Sequence, residues 1–223
     1  MFFEVWVEAY RYAESHADQL IQATQQHLLL VAVPLGIALL IGGAWGWQCA
    51  VWSSQRRPLS QTWVILWLNL FNMLRVIPSI TLLFLMIPWL GLTFQSAAVA
   101  LCLLAIPPIL LATEVGFRTV PGLLRETGLA MGMTSWQLFC QVDVPVALPV
   151  ILAGIKTAVL ELIASATLAA FIGAGGLGDF IALGFALNRP AILLVGAVPV
   201  AGLACLAEWG LEQLQAWLKP SYL

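Results

Sequence analysis

From Leu28 to Trp52 the chain runs without a single Asp, Glu, Lys or Arg. A bilayer core about 30 Å thick needs ~20 apolar residues of helix, so this stretch alone is long enough to cross one. The whole chain is 61% hydrophobic and 9% charged, whereas soluble domains carry about 25% charge. A water-soluble globule must still cover its outside with polar groups, so lipid is the expected solvent for much of this surface. Lipid cannot satisfy backbone hydrogen bonds, which leaves helices as the expected way across. The expected fold is therefore all-α and polytopic.

Further apolar runs bring the expected number of transmembrane helices to about five, in one domain over residues 1–223. The second runs from Trp63 to Leu90 and is interrupted only by Arg75. Gly91 suits a tight reversal before the third, Phe94 to Thr113. The fourth, Val146 to Ile172, carries Lys156 and Glu161, and the fifth is Pro190 to Ala207. Outside these spans, Arg56, Arg57, Arg118, Arg125 and Lys219 fall on one side and Arg11 and Arg189 on the other. Cytoplasmic loops carry the excess of Lys and Arg. The N-terminus is expected outside the bacterial inner membrane and the C-terminus in the cytoplasm.

Several functions are disfavoured. A net charge of −2 gives no basic footprint for nucleic acid. Cys49, Cys102, Cys140 and Cys205 are scattered without a partner at metal spacing, and read as small buried hydrophobes. No metal site, catalytic residue or bound cofactor is expected. His16 and His27 have no second ligand at metal spacing and read as surface groups. No G-x-x-x-x-G-K-[ST] occurs to hold ATP, and the first residues lack the pattern of a cleaved signal peptide.

The polar segment over 114–145 is where structure is expected in water. Pro121 suits a first helical turn, Gly132 a C-terminal cap, and Thr134 with Gln137 a capping box. These signals predict two short helices hinged at Gly132, the second stopping before Pro145, which cannot sit in a helix interior without losing a hydrogen bond.

Within it, Glu126-Thr127-Gly128, Gly132 and Val142-Asp143-Val144-Pro145 resemble the EAA loop of ABC import permeases. That pattern is Glu-Ala-Ala, three residues, Gly, nine residues, Ile, one residue, Leu-Pro, and the spacing fits throughout. Thr127 and Gly128 replace the alanines, Val142 the Ile and Val144 the Leu, and Gly128 should loosen the first helix by up to ~1 kcal/mol. Ile77-Pro78-Ser79, Met131-Gly132-Met133-Thr134, the run from Leu148 to Ala158 and the run from Ala166 to Asp179 are similar to osmoprotectant permeases that import glycine betaine, choline and carnitine. The methionine importer permease, which shares Gly-Ala-Gly-Gly-Leu-Gly and an Arg before Ile-Pro, is the second resemblance.

The resemblance implies the type I ABC importer permease fold. It also implies partners: a dimer of ABC ATPases, a second permease copy or paralogue, and an extracytoplasmic binding protein that delivers a small-molecule solute. Glu126, Thr127, Gly128, Gly132, Met133, Thr134, Val142 and Pro145 would form the ATPase-coupling loop. Hydrolysis belongs to the ATPase, so this chain is expected to be no enzyme. A passive channel would need polar rings and no docking elbow, and a membrane enzyme would need clustered titratable groups.

Arg75 and Glu161 are expected at membrane depth, where a charge costs ~2.5 to 3.5 kcal/mol and faces protein or water. Either they neutralise each other, or with Pro78, Ser79 and Thr167 they line a translocation path. Gly173, Gly175, Gly176 and Gly178 lack the lysine of a phosphate loop and read as a bend back into the membrane or as tight packing. Trp45, Trp47 and Trp52 read as interfacial anchors, the competing use being an aromatic cage for a quaternary ammonium group.

Overall fold

A computed structural model describes residues 2–54 and 58–218. Among these there is no strand. The helices are α1 Phe2–Ser15, α2 Ala17–Ser54, α3 Pro58–Leu74, α4 Ser79–Leu90, α5 Phe94–Arg118, α6 Gly122–Ala130, α7 Ser135–Leu138, α8 Val144–Ala166, α9 Gly178–Ala186 and α10 Pro190–Leu218. A π turn, Phe139–Asp143, joins α7 to α8, and a 3₁₀ turn, Leu168–Ile172, follows α8. Four helical runs are long and apolar enough to cross a membrane, or five if the bent pair α3 and α4 is taken as one span.

Several boundaries differ from those expected, and three have a local physical reason. The second span is broken at residues 75–78: Arg75 lies exposed in a turn, and Pro78 starts α4. Proline disfavours helical angles in the residue before it, so Ile77 cannot carry α3 on into α4. The third helix continues past Thr113 to Arg118, because Glu114 is buried and bonded to Arg118 Nε at 2.8 Å across one turn. The second elbow helix, α7, does end before Pro145, at Leu138, yet helical turns run on from Ser135 to Ala166. The chain widens to π geometry, with the Val144 N–H reaching the Phe139 carbonyl. Pro145 then falls in the first turn of a new α segment, where its missing N–H needs no partner.

The chain forms two compact units. The first comprises Met1–Ile37, Val76–Ala105 and Val159–Glu208. Its core gathers Ala9, Ala23, Leu177, Phe180, Ala191, Ile192 and Val195, with Val5 and Tyr12 of α1 packed against them. The second comprises Ala38–Arg75, Ile106–Ala158 and Trp209–Leu223. Here α5 lies against both α2 and α8 at backbone range. A Cβ added at Gly46 would sit 2.5 Å from the Leu110 carbonyl oxygen, and one at Gly42 3.1 Å from that of Ile106. Gly42 and Gly46 form a G-x-x-x-G pair, the small-residue spacing that lets helices meet closely where lipid supplies no hydrophobic drive. Gly154 on α8 fits the same way over Pro108 and Ala112.

Candidate functional site

The elbow is built by caps. Pro121 sits at the N-cap position, one residue before α6, with φ −60° and ψ 129°. At the other end Gly132 has φ +83°, its N–H donates to the Leu129 carbonyl at 3.0 Å, and the Met133 N–H donates to the Gly128 carbonyl at 3.1 Å. This paired return is the Schellman pattern, and the left-handed residue it needs is best a glycine. The capping box is present: the Gln137 N–H donates to Thr134 Oγ1 at 3.3 Å, and the Thr134 N–H donates to Gln137 Oε1 at 2.9 Å. A hinge with both flanking helices capped holds one shape without help from lipid.

Several of the expected loop residues meet. Gly128 is buried, and a Cβ placed there would lie 2.7 Å from Leu138 Cδ1, 3.1 Å from Met133 Sδ and 4.0 Å from Val142 Cγ2. The Met133, Leu138 and Val142 side chains thus close over the α6 backbone where the usual alanine is missing. Glu126 and Thr127 stay exposed, the Thr127 hydroxyl donating to the Leu123 carbonyl. Leu123 is 74% exposed, Leu129 56% and Met131 67%. The elbow therefore presents apolar side chains that its own unit does not cover, a feature of surfaces that meet a partner.

Arg125 holds the elbow to the following helix. Its Nε donates to Asp143 Oδ1 at 2.7 Å, and Nη2 donates to the Phe117 carbonyl at 3.3 Å. One side chain thus links α6, the end of α5 and the π turn. From the sequence Arg125 is only a loop charge. Its signal was the Arg and Asp flanking the hinge, which have meaning only once the chain folds back.

Among the candidate path residues, Ser79 is half-buried at the start of α4 and Pro78 is exposed at its N-cap. Helix α4 packs against the 3₁₀ turn that follows Thr167, whose hydroxyl donates to the Ala164 carbonyl. Pro78, Ser79, Glu161 and Thr167 belong to the first unit, and Arg75 to the second. Glu161 is half-buried on α8. Lys156 forms an ion pair with Glu212 of α10 at 2.7 Å.

The glycine loop both turns the backbone sharply and packs closely. Gly173, Gly175 and Gly176 have φ of +70°, +80° and +95°, so the backbone bends where side chains are disfavoured. Gly176 also donates its N–H to Gln26 Oε1 at 3.2 Å, and Gly178 fits against the Thr167 carbonyl. His27, expected at the surface, is fully buried beside Gly176 and Leu30, and among the described residues neither ring nitrogen has a partner at good geometry. Position in the helix explains the miss, since His27 lies on the face that α2 turns to the core together with Ala23 and Leu30. His16 is half-buried and stacks on Tyr12 at 4.1 Å.

Cys49 and Cys102 are buried, whereas Cys140 and Cys205 are exposed, the first on the π turn and the second beside exposed Leu206 and Trp209 on α10. Trp45 meets Trp67 and Phe71, and Trp47 meets Phe139 edge-on at 5.9 Å. Arg56, Arg57 and Lys219 lie outside the described residues.

The chain is similar to known transport proteins over most of its length. The chain is 39% identical over 217 residues to a carnitine transport permease protein of Listeria monocytogenes, covering 93% of this chain and 91% of that one. It is 36% identical over 219 residues to an osmoprotectant import permease protein of Salmonella typhimurium, covering 96% and 98%. A solved structure of the methionine ABC transporter MetNI in an inward-facing conformation superposes with a TM-score of 0.77 at 23% identity, over 93% of this chain and 99% of that one. That likeness establishes the ABC importer permease fold. Residues 29–219 match the model of a transport family, and the chain belongs to that family, the binding-protein-dependent transport system inner membrane component, as a multi-pass membrane permease.

Proposed function

We propose that this chain is the permease subunit of an ATP-driven importer for quaternary-amine osmoprotectants of the glycine betaine, carnitine and choline type. The observation that carries the reading is the elbow: a doubly capped helical turn, clamped by Arg125 to Asp143, that leaves Leu123, Leu129 and Met131 uncovered. A connector needs none of these devices, whereas a coupling element must transmit force without bending. The substrate class is supported by the relatives, whose names specify carnitine and osmoprotectants.

In this reading two permease chains form the path and two ATPases grip the elbows in the cytoplasm. A binding protein delivers solute from outside, where the N-terminus lies. ATP binding draws the elbows together and tips the spans from inward-open to outward-open, a shift of populations driven by nucleotide. Glu126, Thr127, Gly128, Gly132, Met133, Thr134, Val142 and Pro145 form or shape the coupling surface, while Pro78, Ser79, Glu161 and Thr167 line the path and Arg75 marks the break in its second span. ATP is bound and hydrolysed by the partner alone.

The test is copurification with the ATPase, then ATP hydrolysis across betaines, choline, carnitine and methionine with the binding protein present. Stimulation by a quaternary amine is expected. A response to methionine alone would reject the substrate class, and failure to capture an ATPase would reject the coupling role. Replacing Glu161 by Gln should lower uptake while ATPase capture persists; unchanged uptake with lower stability would make it structural.

A further inference from the structure

At the elbow the second unit has an open cavity of about 1070 Å³ whose walls include Trp47, Phe117, Trp136 and Phe139 together with Arg125 and Asp143. The rings form one cluster around Phe139: Phe117 and Trp136 stack on it, each at 5.8 Å, and Trp47 meets it edge-on. Trp47 and Trp136 nevertheless remain 44% and 71% exposed. Neither the caps nor the hinge uses these rings.

A quaternary ammonium group has no N–H to donate, so aromatic faces and nearby carboxylates recognise it rather than hydrogen bonds. The charged pair in the wall narrows the choice. Arg125 and Asp143 together are neutral, so a bare cation meets attraction from one and repulsion from the other. A solute carrying both a quaternary ammonium and a carboxylate satisfies both. Its ammonium can rest on the rings and its carboxylate on the guanidinium, whose five N–H donors exceed the two engaged by Asp143 and the Phe117 carbonyl.

We propose that this cavity is a second solute site, taking a quaternary-ammonium zwitterion from the side of the membrane on which the elbow lies. It rests on the quaternary-amine import reading. Because the clamp that shapes the elbow forms one wall, an occupied cavity favours one elbow geometry over another. Solute already imported would in this way bias the coupling of further import, by the reciprocity of linked sites.

The test uses the permease–ATPase complex in nanodiscs of phosphatidylethanolamine and phosphatidylglycerol without the binding protein, titrated with labelled carnitine. Saturable binding is expected, with tetramethylammonium and acetate competing poorly. Replacing Trp47 by Leu should weaken it about 5- to 30-fold, and replacing it by Phe should restore most of it. Equal capture of the ATPase by each variant shows that the fold is retained. No saturable binding, equal binding by the Leu variant, or competition by tetramethylammonium as strong as by carnitine would overturn the site. Loss of carnitine binding when phosphatidylcholine is added to the discs would identify a lipid headgroup as the occupant and overturn it too. Stimulated hydrolysis with the binding protein present, measured on the same preparation, tests the import reading separately.

Discussion

Arg125 and Asp143 lie on opposite sides of the Gly132 hinge, eighteen residues apart, and meet at 2.7 Å with the Asp143 side chain only 14% exposed. A hydrogen bond to a charged group contributes about 1.5 to 3 kcal/mol. Asp143→Asn keeps the shape of the side chain but removes its charge, so the elbow should loosen while the spans stay folded. The expected result is weaker ATPase capture with little change in the thermal midpoint of the permease. Full capture would show that the clamp is dispensable.

Two glycines of the elbow should respond oppositely to alanine. Gly132 is in the left-handed region at φ +83°, where a Cβ costs roughly 1 to 2 kcal/mol. Gly132→Ala should impair ATPase capture. Gly128 is helical, and the closest atom to its missing Cβ is the Leu138 terminal methyl, which can rotate aside. Gly128→Ala should recover up to ~1 kcal/mol of helix propensity, read as unchanged or improved capture.

In the second unit, Gly46→Ala would drive a Cβ to 2.5 Å from the Leu110 carbonyl oxygen, a backbone atom that cannot rotate away. Overpacking of this kind costs about 1 to 3 kcal/mol, so expression and thermal midpoint should fall. Gly43→Ala, three residues earlier and with nothing within 4 Å of the added Cβ, is the matched control and should be silent.

His27 is a buried polar ring whose nitrogens make no well-formed hydrogen bond among the described residues. Replacing an unsatisfied buried polar group by an apolar one of similar size is close to neutral or stabilising. His27→Leu should therefore leave the thermal midpoint unchanged or raised. If the midpoint holds but uptake falls, the ring finds its partner in another state of the transport cycle. A midpoint several degrees lower would refute the absence of a partner.

The sequence alone determined the solvent, the all-helical class, the approximate spans and the elbow, because each is set by local chemistry. Uncharged runs of membrane length, a glycine cap and a Thr134–Gln137 box act on their own segments, whatever else the chain does. Tertiary structure decided what depends on meeting across sequence. Glu114 and Arg118 joined the end of α5 rather than a loop. Asp143 and Arg125 became a clamp only because the chain reverses at Gly132, and His27 fell on a buried face that composition could not distinguish from an exposed one. Pro145 is the clearest case. Its chemistry forbids the interior of an unbroken α-helix, and the fold answered by widening the preceding turn, so that helical turns could pass from the elbow into the membrane-length run of α8.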